Sequence, residues 1–484
     1  MRKVVFSILL LAGFLLVQAG CIPEFSPTAV EVTPSEVPIS PPAANSDGAL
    51  DVPAAMIIEG HTDATTASGG RPGMMTVSIV PVSAESGEPI NGLEPILLGE
   101  GIFYGFSQDR SQMAVFTHSV KECKGFCLRI MDIRNWQEMT DPISLNFRKD
   151  AWLTVPTFDQ DSRYIPLLVG GVSSNYTEVL LIDRSPSMET VKTTLDANVY
   201  QMTLTPDGNL AVYGVVPGSP TSELVIYTAL LNGSNLQVLW EQTLPEIKLS
   251  DWDVTNHSDP SLGVYYDPAR IFSPDGGKLY IVAADEPTLV TVDFQSRTTT
   301  SVKIEPKLSW LQKLFALDVR SAQAKMLNGI YKMGVPSPDG RYLFVVGQQS
   351  VATKKDNDEI EVDTVPLGLQ VIDTQNGALV QQIETKANRL SLSPDGKSLF
   401  LNGWEMTGAS EKMWTDVLDL SSWQVVQHLN GTVSPSRLSD GSQVWLVLGA
   451  NSGSAYTADI YLPGDTSPRA HLTRTSYVDW VIVP

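Results

Sequence analysis

The stretch Ser273-Pro274-Asp275-Gly276, followed by the apolar run Leu279 to Ala284, decides how the rest of the chain is interpreted. Proline presets φ near −65° at the first central position of a turn, aspartate hydrogen-bonds to its neighbouring backbone, and glycine accepts a positive φ. These residue types therefore predict a hairpin turn between two strands. Close copies, each also followed by an apolar run, are Thr205-Pro206-Asp207-Gly208, Ser337-Pro338-Asp339-Gly340 and Ser393-Pro394-Asp395-Gly396.

Weaker copies extend this repeat in both directions from about Met74 onward. They are Ser107-Gln108-Asp109-Arg110, Asp159-Gln160-Asp161-Ser162 and Ser439-Asp440-Gly441. A second strand that ends near an acidic residue usually follows each unit. Because the turn recurs in every unit, we interpret its aspartates as structural turn residues and not as metal ligands: Asp207, Asp275, Asp339 and Asp395.

The rhythm of strand, Ser-Pro-Asp-Gly turn, strand and hairpin resembles the repeats of YVTN and TolB-like β-propellers, which are related to WD40 repeats. The resemblance covers residues 74–484 and implies an all-β fold, a seven-bladed β-propeller of four-stranded antiparallel sheets. Thr76 to Val80 and Ser476 to Val483 are expected to join both termini in one blade. If these two segments form a blade of their own, the count becomes eight.

The N-terminal residues have the pattern of an export signal. Two basic residues precede the apolar run Val4 to Val17, which is short for a membrane span. The small residues directly before Cys21 resemble a bacterial lipobox, in which the cysteine is acylated and becomes the mature N-terminus. Residues 1–20 are therefore predicted to be a lipoprotein signal peptide that leaves the protein anchored on the extracytoplasmic side of the bacterial cell envelope. An ordinary cleaved secretion signal is the alternative.

Residues 21–73 differ in composition from everything that follows. They are rich in proline, serine and threonine and show no sustained periodicity. Such a segment buries too little apolar surface to offset its ordering entropy. We therefore predict a disordered linker between the lipid on Cys21 and the folded domain.

The other two cysteines, Cys123 and Cys127, lie four positions apart on either side of Gly125. A glycine permits the tight reversal that brings two Cβ atoms together. Because an exported chain meets an oxidising compartment, we predict a disulfide between them. A metal pair is the weaker alternative, since His118 is the one nearby histidine.

The net charge of the chain limits the class of partner that it is expected to bind. The chain carries 54 acidic and 33 basic residues, a net charge of −21, which disfavours nucleic acid as a ligand. If each Ser-Pro-Asp-Gly turn joins the innermost strand of a blade to the second, the long irregular loops collect on the opposite rim. Loops that vary in length on one face are typical of a binding surface.

Several cationic side chains fall a few residues before a turn, where an innermost strand is expected. Some of them would point into the central funnel and form an anion-attracting pocket, with neighbouring tyrosines lining it. Ordinary ion pairs are the alternative. The candidate ligand-binding residues are Arg270, Lys332, Arg389, Arg437, Tyr265, Tyr266 and Tyr331.

Enzyme signatures are absent from the sequence. It contains no Gly-x-Ser-x-Gly, no His-Glu-x-x-His and no P-loop, and its five histidines are scattered singly. We therefore predict no catalytic residue, metal or cofactor, and a non-catalytic module that binds a protein or a cell-envelope component. The alternatives are a propeller enzyme (lactonase, lyase or quinoprotein-type oxidoreductase) and a sensor of small anions or saccharides. The oligomeric state stays open.

Overall fold

The structure is a computed structural model of the chain. It describes residues 54–62, 75–99, 103–107, 111–120, 123–133, 136–145, 151–159, 161–171, 176–184, 190–217, 224–251, 264–304, 326–354, 360–407, 410–437, 442–449, 456–474 and 478–481. All the secondary-structure elements within these residues are β-strands. The described part of the chain holds no helix of the length and hydropathy that a membrane crossing requires.

The strands in the first third of the chain are short and closely spaced. They are β1 (Ala54–Thr62), β2 (Met75–Ser83), β3 (Ile96–Gly99), β4 (Phe103–Phe106), β5 (Gln112–Val120), β6 (Cys123–Asp132), β7 (Gln137–Glu138), β8 (Ile143–Leu145), β9 (Ala151–Thr154), β10 (Tyr164–Gly171), β11 (Thr177–Asp183) and β12 (Thr190–Leu195).

The middle of the chain contains the four clear copies of the turn. Its strands are β13 (Asn198–Leu204), β14 (Leu210–Pro217), β15 (Leu224–Leu231), β16 (Val238–Leu244), β17 (Ser250–Asp251), β18 (Val264–Asp267), β19 (Ala269–Phe272), β20 (Lys278–Val282), β21 (Thr288–Asp293), β22 (Thr298–Lys303), β23 (Met326–Pro336), β24 (Tyr342–Lys354), β25 (Ile360–Pro366), β26 (Leu369–Asp373), β27 (Leu379–Ile383), β28 (Arg389–Leu392), β29 (Ser398–Thr407), β30 (Ser410–Asp419) and β31 (Gln424–Leu429).

The last strands are β32 (Thr432–Arg437), β33 (Gln443–Leu448), β34 (Tyr456–Tyr461), β35 (Ala470–Arg474) and β36 (Val478–Val481). The chain divides into two compact units. The terminal unit comprises the described residues of 1–169, 182–190 and 433–484, and the central unit comprises those of 170–181 and 191–432.

The central unit contains four sheets of one design. Their main orders are β13-β14-β15-β16, β19-β20-β21-β22, β23-β24-β26-β27 and β28-β29-β30-β31, and β17, β18 and β25 extend the third. Within each four-stranded order the neighbouring strands are antiparallel. Each Pro-Asp-Gly turn connects the first strand of its sheet to the second.

Burial explains the residue types along each sheet. The second strand β20 is almost wholly buried after Lys278, because both of its faces are covered, and it reads as a continuous apolar run. The fourth strand β22 is mostly exposed and consists of threonines, a serine, a valine and a lysine. The sequence of an inner strand therefore lacks the alternation that a half-exposed strand shows.

Alternate side chains of a second strand pack against two different neighbouring sheets. Leu279 and Ile281 pack with residues of β14 and β15, whereas Tyr280 and Val282 pack with Leu343 of β24 and its neighbours. A third cluster joins β24 and β26 to β28, β29 and β30. The four sheets of the central unit are therefore stacked face to face in chain order, as the blades of a propeller are.

The terminal unit is organised around pairing between distant parts of the chain. One nine-stranded sheet has the order β36-β1-β2-β3-β5-β6-β7, with β4 and β8 on the side, and a four-stranded sheet has the order β32-β33-β34-β35. Val80 and Val82 of β2 pack with β33 and β34, and Ile79 on the other face packs with β5 and β6. The remaining sheet of the chain has the order β12-β11-β10-β9.

The predicted fold class is confirmed: the chain is all-β, a propeller of seven hydrogen-bonded sheets within the described residues. This number counts β36-β1-β2-β3 and β4 to β8 as one sheet, because Gly99 pairs with His118. Without that pair, β36-β1-β2-β3 would form a sheet separate from β4, β5, β6, β7 and β8, which is the eight-bladed alternative. As expected, strands from both ends of the chain share a sheet.

One strand lies where the sequence predicted a linker. β1 occupies Ala54–Thr62, inside residues 21–73, and pairs with β2 on one side and β36 on the other. Ile57 of this strand is fully buried. The strand follows a proline, and its second partner β36 lies far away in the sequence, so no local pattern indicates it.

Candidate functional site

The four turns close one end of each central-unit sheet with the same hydrogen bonds. In the second sheet, the Ser273 hydroxyl donates to Asp275 Oδ1 at 2.6 Å and accepts from the Lys278 amide at 2.9 Å. Asp275 Oδ1 also accepts from the Gly277 amide at 3.0 Å, and Gly276 has a φ of 73°. The turn is held by its own side chains, so it needs no ligand.

Asp207, Asp339 and Asp395 accept hydrogen bonds from the hydroxyls of Thr205, Ser337 and Ser393 in the same way. These hydroxyl contacts are the main reason that the pKa values of Asp207, Asp275 and Asp339 lie below the ordinary range. We call this end of each central-unit sheet the turn end. The opposite end, where the second strand finishes, is the loop end.

Arg270 lies at the loop end, in the second residue of β19. Its side chain is only 11% exposed, and its guanidinium forms an ion pair with Asp267, the last residue of β18. The guanidinium carbon lies 5.8 Å from the ring centroid of Tyr200 and 5.6 Å from that of Tyr213. A cation over aromatic faces is attracted by their quadrupoles, so the two rings hold the guanidinium in place.

The two tyrosines come from the neighbouring sheet. Tyr200 lies at a register shift between Val199 and Gln201 of β13, and Tyr213 is buried in β14. A β-bulge re-aims side chains, which turns Tyr200 toward Arg270. A Cβ on Gly214 would lie 2.2 Å from the Asn198 carbonyl oxygen, so the bulged strand requires a glycine opposite it.

Parallel pairing adds Tyr331 to this group. β18 pairs with β23 so that Tyr265, Tyr266 and Asp267 lie opposite Gly329, Ile330 and Tyr331. Tyr265 and Asp267 share one face of β18 because side chains alternate along a strand. The structure therefore brings Asp267, Arg270 and Tyr331 together and directs Tyr266 to the other face. We call Tyr200, Tyr213, Asp267, Arg270 and Tyr331 the arginine cluster.

The charge state of the arginine cluster follows from burial and from its one ion pair. Burial would lower the pKa of Arg270, but Asp267 and the tyrosines outweigh it and raise this pKa, so the guanidinium stays charged. Burial raises the pKa of Asp267, and Arg270 opposes that rise. Burial also raises the pKa of Tyr331 to about 12; Asp267 adds to the rise, while Arg389 and Arg270 oppose it.

Lys332, another candidate, is not part of the cluster. It is 9% exposed, and its ammonium donates a hydrogen bond of 2.6 Å to the main-chain oxygen of Ala283, just after β20. Being next to Tyr331 in a strand, it points to the opposite face. Burial lowers its pKa to about 8, and the nearby Asp285 opposes this shift. Lys332 links the second and third central-unit sheets.

The remaining cationic candidates divide between the two units. Arg389 is the first residue of β28, is exposed, and has no ion-pair partner among the described side chains. The positive charge of Arg389 opposes the rise in the pKa of Tyr331. Arg437 ends β32, and its side chain lies outside the described part of the chain. Cys21 and the side chain of Cys123 also lie outside it.

Sequence reasoning missed three members of the arginine cluster: Tyr200, Tyr213 and Asp267. Asp267 lies three residues before Arg270 in the sequence, and this closeness was the one available signal for the carboxylate. No sequence pattern near Tyr200 or Tyr213 indicated that these tyrosines contact an arginine. They reach Arg270 only through the bulge in β13 and through the packing of one sheet against the next.

The loop end also carries extended hairpins. β24 runs for 13 residues, and its far half pairs with β25 from Gln348 and Pro366 to Lys354 and Ile360. β29 and β30 pair continuously from Ser398 and Asp419 to Thr407 and Ser410. Apolar side chains that are exposed at this end are Leu224, Tyr265, Val365 and Trp404.

Comparisons with known proteins add little beyond the fold. No family model matches the chain, and no curated protein matches it. Among the described side chains, no group of three or more His, Cys, Asp or Glu residues is placed to hold a metal ion.

Solved structures that are similar to this chain are β-propellers of low identity. The periplasmic gluconolactonase of Pseudomonas aeruginosa is 14% identical over 89% of this chain and all of its own, with a TM-score of 0.36. A protein described as a possible 6-phosphogluconolactonase from Bacteroides uniformis is 13% identical, over 78% of this chain and 96% of its own, with a TM-score of 0.38. BamB from Moraxella catarrhalis is 11% identical over 77% and 93%, with a TM-score of 0.36. Similarity this weak carries no argument about function.

Proposed function

We propose that this protein is a lipid-anchored, non-catalytic binding module of the bacterial cell envelope. It binds another protein or an envelope component through the loop end of its central-unit sheets. The observation that carries the proposal is the contrast between the two ends. The turn ends are closed by near-identical four-residue turns, whereas the loop ends carry the long hairpins β24–β25 and β29–β30.

Exposed apolar side chains support this choice of surface. Trp404 is 47% exposed although it lies in a hairpin that pairs along its whole length, and Val365 of β25 is 48% exposed. An exposed tryptophan has a cost in water that contact with a partner removes. Aromatic residues are also enriched among those that contribute most to binding at interfaces.

The location is part of the proposal and rests on the sequence. The lipobox-like residues before Cys21 and the proline-rich segment after it fit a tether that holds the propeller outside the cytoplasm. In that compartment, Cys123 and Cys127 are expected to form a disulfide. Mass spectrometry of the mature protein tests both points. An N-terminus other than an acylated Cys21 contradicts the anchor, and two alkylatable thiols without reductant contradict the disulfide.

Substitution of Trp404 tests the binding surface. Trp404→Ser is expected to reduce photo-cross-linking to envelope components at least about fivefold, because a buried interface tryptophan contributes on the order of 1–2 kcal/mol or more. Val426→Ser is the matched control, since Val426 is 62% exposed on the fourth strand β31 and away from the hairpin tips. Equal cross-linking yields from both variants and the unmodified protein would contradict the proposal.

A second candidate function, a sensor of small anions or saccharides, is favoured by one specific observation. The guanidinium of Arg270 is buried at the loop end, and Asp267 is its single ion-pair partner among the described residues. No observation within the described residues favours the propeller-enzyme alternatives over these two.

A further inference from the structure

We propose that the arginine cluster, together with Arg389, binds a small ligand through an oxyanion, a carboxylate or a phosphate group. This inference deepens the sensor function and does not depend on partner binding by the hairpins. The site nominated from the sequence was a set of cations around a funnel. The one inferred here has a different composition, with tyrosines and a carboxylate that orient a single buried arginine.

Arg270 has unused hydrogen-bonding capacity. A guanidinium has five N–H donors, and among the described residues only Asp267 accepts from Arg270. No Arg270 nitrogen is among the fully buried polar atoms that lack a partner. Its free N–H groups therefore reach solvent-accessible space, although the side chain as a whole is 11% exposed.

The hydroxyls of Tyr200 and Tyr213 are also unused donors. Tyr200 and Tyr213 form no hydrogen bond through their hydroxyls to any described residue, and neither hydroxyl is a fully buried orphan. Burial raises the pKa of both, so the hydroxyls stay protonated and able to donate. Arg270, Tyr200 and Tyr213 are therefore neighbouring side chains with donors that no described residue accepts from.

The balance of donors and charges selects the ligand. Among the described residues of the site, Arg270 and Arg389 contribute two positive charges against one carboxylate, Asp267. This local excess of positive charge occurs in a chain with a net charge of −21. A cation would be repelled there, and a neutral ligand would leave the guanidinium donors with weaker acceptors. A planar or tetrahedral oxyanion fits because it accepts two parallel N–H bonds from an arginine.

The site is also preorganised. The rings of Tyr200 and Tyr213 and the carboxylate of Asp267 fix the guanidinium before any ligand arrives, so little side-chain entropy is lost on binding. Arg389 is exposed, and its positive charge opposes the rise in the pKa of Tyr331, a member of the arginine cluster. The oxyanion is expected at Arg270, with the rest of the ligand extending toward the exposed Tyr265.

Binding of simple anions to the full mature protein tests the inference. Isothermal titration calorimetry is performed with inorganic phosphate and with acetate at constant ionic strength, with chloride as the reference anion and glycerol as a neutral probe. We expect saturable binding of at least one of the two oxyanions and none of glycerol. The phosphate and acetate arms distinguish the two sources of the oxyanion.

Variants then locate the binding. Arg270→Gln is expected to weaken binding at least about tenfold, because a charge-assisted hydrogen bond contributes roughly 1.5–3 kcal/mol. Arg341→Gln is the matched control, since Arg341 also has a carboxylate partner, Asp373, and a tyrosine ring 5.1 Å away, but lies next to the turn end. If Arg270→Gln fails to fold, Arg389→Gln, an exposed position, is expected to weaken binding about threefold and to reduce its salt dependence.

Two results would overturn the inference. One is the lack of saturable binding by phosphate and by acetate up to millimolar concentrations. The other is saturable binding whose affinity Arg389→Gln does not change, combined with one of two outcomes for Arg270→Gln. Either Arg270→Gln does not change the affinity, or it lowers the affinity by no more than the control Arg341→Gln does. Neither result affects the cross-linking test of Trp404, so failure of this inference and failure of partner binding are distinguishable.

Discussion

At the scale of the residue, this protein places charged side chains where burial is costly. Lys332 has a main-chain oxygen as its hydrogen-bond partner, and Arg270 has one carboxylate and two aromatic rings. The two sites resolve the cost differently. The pKa of Lys332 falls to about 8, whereas that of Arg270 rises because its neighbours favour the charged form. Only the arginine is therefore charged at every ordinary pH.

Lys332→Met is expected to stabilise the protein at pH 7 by on the order of 1–3 kcal/mol, since it removes the cost of a buried charge. The pKa of Lys332 is about 8 when folded, against 10.5 as its ordinary value. The unfolded chain thus binds more protons between these values, and the wild type gains stability as pH rises through that window. Urea unfolding at pH 7 and pH 10.5 should show the advantage of the variant shrinking. An advantage that is equal at both pH values would contradict the depressed pKa.

At the scale of the element, the turn is what local sequence specifies best. Proline, aspartate and glycine each satisfy one requirement of the backbone within four residues, so the prediction of a hairpin needed no distant partner. The strands that follow the turns could also be predicted from the sequence, because second strands are continuous apolar runs. The sequence did not predict the bulge at Tyr200 or the parallel pairing of β18 with β23, since both depend on residues far away in the chain.

Two turn glycines separate the effect of backbone conformation from that of packing. Gly208 and Gly276 have φ values of 75° and 73°, but a Cβ meets nothing within 4 Å at Gly208 and lies 1.9 Å from the Leu204 carbonyl oxygen at Gly276. Gly208→Ala is expected to cost about 1 kcal/mol of unfolding free energy, the penalty of a left-handed conformation. Gly276→Ala should cost at least about 2 kcal/mol more, because the backbones must separate.

Chemical unfolding of both alanine variants measures this difference. Equal losses at the two positions would mean that the approach of Gly276 to the preceding sheet contributes nothing to stability.

At the scale of the whole molecule, strands that are far apart in the sequence pair with each other. β36 pairs with β1, and β1 pairs with β2, so strands from both ends complete one sheet. Edge strands left open by an incomplete sheet are prone to pair with other chains. Pairing with β36 removes that edge from β1, and the fully buried Ile57 shows that this strand belongs to the core of the terminal unit.

Truncation after Tyr477 removes β36 and tests this closure. The terminal unit is expected to lose about 2–5 kcal/mol of stability and to aggregate more readily, because the backbone groups of β1 lose their partners. Deletion of residues 22–45, within the predicted linker, is the control and should leave the unfolding midpoint unchanged. A truncated protein as stable as the full chain would show that β36 contributes nothing.

The sequence by itself determined the all-β class, the repeated turns and the order of strands around them, because these depend on residues within one hairpin of each other. Tertiary structure alone decided that β1 is a strand and that Tyr200 and Tyr213 enclose Arg270. Those contacts join residues from different sheets, and no periodicity within a segment records which side chain lies across from it. The sequence identified Arg270 as a candidate ligand-binding residue. The tyrosine rings around it and the donors proposed to bind an anion come together only in the folded chain.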